Sequence, residues 1–209
     1  MRGPARTQTA LDLAPTAPIG LEDVIEGDGN RAALNYLRSW TDWPSPVVLL
    51  VGPEGSGKSR LAAAWSHSSG GRIVDDADAV EEIDLFAAIN SALADGSPLV
   101  LTSAHPPEDW GTRTPDLHHR IANTPTFTLD EPGEDILRPV LQRLFAEHGR
   151  EVGEDVIDYM LTRCPRAVRE LRGVVADIER EAQSERADVT KAWVARYWSR
   201  QPELFQTDV

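Results

Sequence analysis

An eight-residue stretch with the sequence GPEGSGKS, residues 52–59, carries the clearest chemical signal in the chain. It fits the pattern GxxxxGK[ST], in which glycines let successive backbone N–H groups turn towards phosphate oxygens at the start of a helix. Lys58 is expected to contribute a positive charge to the phosphates, and Ser59 a hydroxyl group to Mg²⁺. The residues predicted to bind ADP or ATP here are Gly52, Gly55, Gly57, Lys58, Ser59 and Arg60.

Two carboxylates follow the next predicted strand. Asp75 and Asp76 come directly after Ile73 and Val74. Hydrolysis of a nucleotide needs a metal ligand and a group that orients water at the tip of a neighbouring strand. We therefore predict that Asp75 joins Ser59 in binding Mg²⁺ and that Asp76 is catalytic. The alternative is that this acidic segment is only a helix cap and a turn.

Hydrophobic patterning places these motifs in an α/β framework. The apolar run at residues 47–51 leads into the glycine loop, and SRLAAAWSHS continues as a helix. Further strands are predicted at RIVDD, LVLTSA and residues 124–129, with a helix over about residues 84–94. Alternation of strands and helices predicts a parallel sheet with right-handed crossovers.

The chain divides into four parts on the same patterning. Residues 1–20 lack periodicity and are predicted to form a flexible arm, and residues 21–132 form the nucleotide-binding core. The pattern from residue 133 to 200 is helical only, which predicts a bundle of four helices, followed by a tail at residues 201–209.

Composition narrows the classes of partner. The chain has 209 residues and a net charge of −13, which repels a nucleic-acid backbone and disfavours strong direct DNA binding. Arg163, Arg166, Arg169 and Arg172 are the one local group of basic residues. No stretch resembles a membrane span or a signal peptide, so we expect a cytoplasmic protein. The single cysteine, Cys164, is expected to be structural.

Several segments together resemble the motifs of the AAA+ module of DnaA-related proteins. They are, in chain order, LEDVIEGDGNRAAL, GPEGSGKS, IVDDAD, LTSAHPPEDW, TPDLHHRI and RAVRELRGVVADI. Within that family the chain is most similar to the Hda group, in the form found in alphaproteobacteria and sometimes called HdaA. The resemblance implies an AAA+ P-loop parallel sheet with a small C-terminal helical lid.

The resemblance also implies partners and roles. Members of the Hda group dock on the DNA sliding clamp, the beta subunit of the polymerase, and promote hydrolysis of ATP bound to DnaA. By position, Arg120 resembles an arginine finger acting in trans, and Arg169 resembles the sensor 2 arginine of the lid. The alternative for Arg120 is a surface ion pair, and that for Arg169 is a salt bridge with Asp155 or Glu179.

Two terminal peptides resemble clamp-binding motifs. The first is QTALDL, in which Gln8 is expected to bind at the rim of an apolar pocket and Leu11 and Leu13 inside it. The second is QPELF, residues 201–205.

The chain departs from the family pattern in two places. Only residues 60–71 separate the loop from RIVDD, so we predict four strands, one fewer than usual, with the acidic segment DDADAVEE protecting the open edge. Ala104 stands where the family commonly has an aspartate, with His105 either a substitute or a loop residue. Both departures favour nucleotide binding with weak turnover.

Other functions remain open at this stage. A stand-alone P-loop ATPase or kinase is the alternative from the enzyme class, and a DNA-associated ATPase similar to helicase loaders is another. The patterning leaves homo-oligomer formation and the identity of the active nucleotide undecided.

Overall fold

The computed structural model describes residues 19–200. Its strands are β1 (Val47–Val51), β2 (Arg72–Val74), β3 (Leu99–Ser103) and β4 (Thr126–Thr128). Its α-helices are α1 (Arg31–Arg38), α2 (Lys58–Ser69), α3 (Glu82–Asp95), α4 (Pro115–Ala122), α5 (Glu134–Glu147), α6 (Glu154–Leu161), α7 (Val168–Glu185) and α8 (Lys191–Ser199). Short 3₁₀ turns lie at Leu21–Asp23, Trp40–Asp42, Ala77–Ala79 and Pro107–Asp109.

The four strands form one parallel sheet in the order β2-β3-β1-β4. This confirms the predicted four-stranded parallel sheet. Strand β1, which leads into the glycine loop, is internal and all five of its residues are buried. Internal parallel strands are covered on both faces, which explains why β1 reads as an unbroken apolar run.

Helices cover both faces of the sheet. On one face, Val48 and Leu50 of β1 pack with α1 and with α2, which contributes Trp65. On the other face, Leu49 packs with α3 and α4. Alternating residues of one strand therefore belong to two different cores, as the period of two in a β-strand requires.

Helices α5–α8 follow the sheet and have a core of their own, and we call them the helical unit. Its largest fully buried side chain is Phe145. Hydrogen bonds tie this unit to the segment before α1. Arg143 Nη1 donates to the carbonyl oxygen of Asp23 at 3.1 Å, and the amide of Asp28 donates to Asp135 Oδ2 at 2.7 Å.

Two details of the elements differ from the expectations. Helix α4 is an additional element. The acidic segment after β2 does not cover the open edge, since Ala77 turns back and is buried beside β3 and β1. Strand β2, which forms this edge, is only three residues long, and its short length limits the number of unpaired backbone groups.

Candidate functional site

The glycine loop connects β1 to α2 in the conformation that its glycines permit. Gly55 and Gly57 have φ values of 81° and 94°, a region that residues with a Cβ atom rarely occupy. Gly52 is needed for a different reason. A Cβ atom on it would lie 2.3 Å from the carbonyl oxygen of Leu129, where the end of β4 passes the loop.

Lys58 is buried at the first position of α2. Its Nζ atom donates to the carbonyl oxygens of Gly52 at 2.6 Å and of Pro53 at 2.9 Å. The ammonium group is therefore held inside the loop by the loop's own backbone. Charged donors at a helix N-terminus are suited to phosphate oxygens, which are stronger acceptors than carbonyls.

The predicted metal-binding and catalytic carboxylates lie at the same edge of the sheet as the loop. The amide of Gly52 donates to the carbonyl oxygen of Ser103 at 3.2 Å, which joins the loop to the end of β3. The buried Thr102, also on β3, donates from Oγ1 to the carboxylate of Asp75 and accepts from the amide of Asp76 at 3.0 Å. Strand β3 thus holds both aspartates. Ser59 is exposed at the start of α2.

His105 is paired rather than free. Its Nδ1 atom lies 2.8 Å from Asp78 Oδ2, and the His105 side chain remains 67% exposed. Burial alone favours a higher pKa for Asp78, but hydrogen bonds from His105, its own backbone and Ser103 outweigh it and lower the pKa. The sequence did not reveal this pairing, because Asp78 lies 27 positions before His105 in the chain.

A cleft opens between the loop and the helical unit. Its empty space, counted with the open solvent at its mouth, is ≈ 740 Å³. Both parts of the chain contribute lining residues. They are Asp23, Val24, Ile25, Asn30, Ser56, Gly57, Arg60, Leu61, Leu129, Pro132, Ile136, Val140, Arg143, Leu144, Glu147, Val168 and Arg172.

The predicted Arg60 lines this cleft at the end of the loop. Although the residue as a whole is exposed, partial desolvation of its guanidinium group lowers its pKa, as do the neighbouring guanidinium groups of Arg172 and Arg143, while Glu147 opposes the shift. The sequence analysis did not assign Arg143, Glu147 and Arg172 to the site. The i, i+4 spacing of Arg143 and Glu147 and the position of Arg172 three residues after Arg169 were the available signals.

A second, smaller group of residues faces the other side of the loop. Glu54 and Gly55 lie opposite Cys164, Arg166 and the start of α7. Burial raises the pKa of the Cys164 thiol to about 12, so the thiolate is disfavoured. This agrees with a structural cysteine.

The two arginines singled out by the resemblance lie outside the cleft. Arg169 is exposed, lines neither cavity, and has no ion-pair partner among residues 19–200. The alternative pairing with Glu179 is not formed, since Glu179 is paired with Arg150 at 2.8 Å. The role of Arg169 as a sensor 2 arginine stays a prediction.

Arg120 lies on α4, on the face of the sheet covered by α3. Its Nε atom is 3.1 Å from Asp116 Oδ2, and its guanidinium carbon lies 5.5 Å from the ring centre of Phe86. The surface ion pair considered as the alternative is therefore present. Arg120 lines neither cavity, so it makes no contact with the cleft of its own chain.

Both clamp-motif candidates, Gln8 with Leu11 and Leu13, and residues 201–205, lie outside the described residues. Within residues 19–200, no group of three or more His, Cys, Asp or Glu side chains is arranged to hold a metal ion. The helices in this part of the chain include none that is long and apolar enough to cross a membrane.

No protein-family model and no curated protein matches the chain. The fold matches solved structures of replication proteins and of RuvB. Domain III of the Thermotoga maritima replication initiation protein DnaA is 16% identical, with a TM-score of 0.70 over 83% of this chain and 92% of that chain. AMPPCP-bound DnaA from Aquifex aeolicus is 20% identical, with a TM-score of 0.63 over 80% and 69% of the two chains.

A substituted RuvB of Thermotoga maritima is 17% identical, with a TM-score of 0.66 over 86% of this chain and 71% of that chain. The chain also spans 64% of the length of a DNA replication initiation factor. At these identities the likeness establishes the fold alone, a four-stranded parallel α/β unit followed by helices, similar to these DnaA and RuvB structures.

Proposed function

We propose that the chain is a nucleotide-bound AAA+ regulator of replication initiation. In this proposal it binds the DNA sliding clamp and stimulates hydrolysis of DnaA-bound ATP through Arg120, which makes it a negative regulator of initiation in the cytoplasm. The observation that carries the proposal is the buried Lys58 inside a glycine loop that opens on a cleft against the helical unit.

The nucleotide part of the proposal assigns each group a task. Backbone amides of the loop and the ammonium group of Lys58 bind the phosphates of ADP or ATP. The exposed Ser59 hydroxyl and the Asp75 carboxylate are the oxygen ligands that suit Mg²⁺, which keeps most of its waters. Bound Mg²⁺ would neutralise phosphate charge, and Thr102 keeps Asp75 oriented for it. Helices α5–α8 act as the lid that closes on the nucleotide.

Weak turnover follows from the residues near the phosphates. Ala104 brings no polar side chain to the end of β3, and the nearby His105 is held by Asp78. Thr102 holds the backbone amide of Asp76, and Asp76 remains the candidate catalytic residue. In this proposal ADP mainly fixes the lid on the core, and the chain acts on a nucleotide held elsewhere.

The placement of Arg120 supports action in trans. An arginine finger must reach the phosphates of a neighbouring protein, so it has to lie at the surface and away from the chain's own cleft. Arg120 meets both conditions, with its side chain 33% exposed. Asp116 and Phe86 hold the guanidinium in one orientation, and the phosphates of DnaA-bound ATP would replace Asp116 as its partner.

The test is hydrolysis of DnaA-bound ATP in the presence of clamp loaded on DNA. The full chain is compared with Arg120→Ala and Gln8→Ala, and with Arg113→Ala as the matched control, because Arg113 is an exposed arginine shortly before α4. Acceleration by the unmodified protein and by the control, lost in the other two variants, supports the proposal. Equal acceleration by Arg120→Ala overturns the role of the finger.

A stand-alone ATPase is the second candidate. Asp75 and Asp76 are held at the carboxyl edge of the sheet beside the loop, where metal-assisted hydrolysis requires them. Steady-state hydrolysis by the purified chain decides between the two. Sustained turnover that is lost in Asp76→Asn, without any effect on DnaA-bound ATP, favours the enzyme.

A further inference from the structure

Three arginines from three helices converge in the cleft. Arg60 lies in the first turn of α2, Arg143 on α5 and Arg172 on α7. All three line the same cavity, although α2 belongs to the core and the other two helices belong to the helical unit. The remaining lining is largely apolar, so this group is the concentrated positive charge of the cleft.

One carboxylate is paired with this group. Glu147 Oε2 lies 2.8 Å from Arg172 Nη1, and Glu147 Oε1 lies 3.9 Å from Arg143 Nε. Arg60 has no ion-pair partner among residues 19–200, and the carboxylate of Asp23, which also lines the cleft, makes none of the described ion pairs. Three cations therefore share one paired anion, in a chain whose net charge is −13.

The loop residues that lie beside the three arginines indicate which part of a ligand the arginines contact. The loop residues that share their cavity are Ser56 and Gly57, whereas Lys58 and Ser59 are not among its lining residues. In a loop of this type the lysine and the serine serve the β and γ phosphates and the metal ion. The α-phosphate, the ribose and the base are what remain for this cleft, and the arginines suit the α-phosphate because it is the anionic group among them.

We infer that Arg60, Arg143 and Arg172 form a cationic subsite for the α-phosphate and ribose end of a nucleoside di- or triphosphate. Glu147 is the internal anion with which that ligand competes. The inference rests on the proposed nucleotide-binding function. It adds residues of the helical unit to the binding site, and these residues differ from the predicted Arg169.

The chemistry of the four side chains supports this assignment. Guanidinium groups bind phosphate oxygens through paired, charge-assisted hydrogen bonds. Mutual repulsion makes the three cations a poor arrangement without an anion, and the positive charges of Arg172 and Arg143 add to the effect of burial in lowering the pKa of Arg60. Glu147 relieves it only in part. A bound phosphate relieves it further, and it bridges α2 to α5 and α7.

The experiment is calorimetric titration of the full chain with ADP and with ATP. Arg172→Gln and Arg143→Gln remove single cations, Glu147→Gln removes the competing anion, and Lys58→Ala is the reference for loss of the phosphate loop. Arg180→Gln is the control, because Arg180 is an arginine on α7 that is 62% exposed and pairs with Asp177. Thermal melting of each variant shows whether it is folded.

We expect Arg172→Gln to lower the affinities for ADP and for ATP by the same factor, about tenfold. Arg143→Gln should lower both affinities in parallel. Glu147→Gln should raise both affinities about threefold. Arg180→Gln should have the affinities of the unmodified protein. A loss of affinity for ATP alone in Arg172→Gln overturns the assignment to the α-phosphate and ribose.

The failure of this inference is distinguishable from the failure of the proposed function. If Lys58→Ala loses nucleotide while the Arg172, Arg143 and Glu147 variants bind as the unmodified protein does, the subsite is wrong and nucleotide binding by the loop stands. If the unmodified protein binds neither ADP nor ATP, both are overturned.

Discussion

The ammonium group of Lys58 donates a hydrogen bond of 2.6 Å to the carbonyl oxygen of Gly52, the first residue of the same glycine loop. This bond spans six positions of the chain and closes the loop on itself. A buried ammonium group needs such acceptors, because a buried charge without hydrogen bonds is costly. The loop is therefore shaped before any phosphate enters it.

Replacement of Lys58 by alanine should abolish most of the affinity for nucleotide. Hydrogen bonds to charged groups contribute about 1.5–3 kcal/mol, so we expect a loss of about 10- to 100-fold in affinity for ADP. The measurement is titration with a fluorescent ADP analogue. Lys191→Ala is the matched control, since Lys191 is the other lysine of the chain and is exposed on α8. Equal loss in both variants would contradict the assigned role.

Gly52→Ala should destabilise the fold. The new Cβ atom would lie 2.3 Å from the carbonyl oxygen of Leu129, so strand β4 or the loop must move. Overpacking of this kind costs about 1–3 kcal/mol, and denaturant unfolding measures it. Unchanged stability would mean that the loop does not pass β4 as closely as described.

Gly173→Ala should have the opposite effect. Gly173 lies in the middle of α7, and an added Cβ atom meets no heavy atom within 4 Å. Glycine in a helix costs about 0.5–1 kcal/mol relative to alanine, so the free energy of unfolding should rise by about that amount. A decrease would argue that a partner surface or another segment occupies this space.

Thr102→Val tests how β3 holds the predicted metal ligand. Valine keeps the shape of the buried Thr102 but removes the donor to Asp75 and the acceptor for the Asp76 amide. We expect a loss of about 1–3 kcal/mol in the free energy of unfolding and a smaller gain in ATP affinity on addition of Mg²⁺. Thr128→Val, at an exposed position of β4, is the control. A full Mg²⁺ response in Thr102→Val would remove Asp75 from the metal site.

The contribution of Glu82 to stability should depend on pH. Glu82 accepts from the amide of Arg113 at 2.7 Å and from the amide and hydroxyl of Thr114, and so it holds the segment that leads into α4 and Arg120. The Arg113 amide first, then the Thr114 hydroxyl, lower the pKa of Glu82 despite the opposing effect of burial.

A carboxyl pKa that is lower in the folded chain stabilises the fold above the ordinary value, and this contribution is lost as pH falls through the folded value. Glu82→Gln should therefore be less stable than the unmodified protein near neutral pH, and the difference should shrink as the pH falls below the ordinary pKa of a glutamate and through the lower folded value. Urea unfolding across this range measures it, with the exposed Glu151→Gln as control. A difference that does not change with pH would contradict the ionic origin.

The sheet and the glycine loop were predictable from the sequence because their signals are local. The apolar run of β1 lies within a few residues, and so does the spacing of Gly52, Gly57 and Lys58. Few other sequences can adopt the backbone geometry of such a loop. The number of strands also had a local signal, the short connection between α2 and β2.

The charge arrangement of the cleft was not predictable in the same way. Arg60 and Arg172 are 112 positions apart, and they meet only because the start of α7 lies beside the glycine loop. The pairing of Asp78 with His105 likewise depends on the turn at Ala77, which packs back against β3. Helix α4 was missed because it is only eight residues long and begins at Pro115 in a polar segment.

The order β2-β3-β1-β4 has a consequence for how such a module changes during evolution. The strand that carries the glycine loop is flanked on both sides, while β2 stands at the rim with one neighbour. Insertion or deletion of a strand next to β2 alters a single ladder and leaves the neighbours of β1 unchanged. A strand can therefore be added or removed at the rim without a change in the strands on either side of the glycine loop.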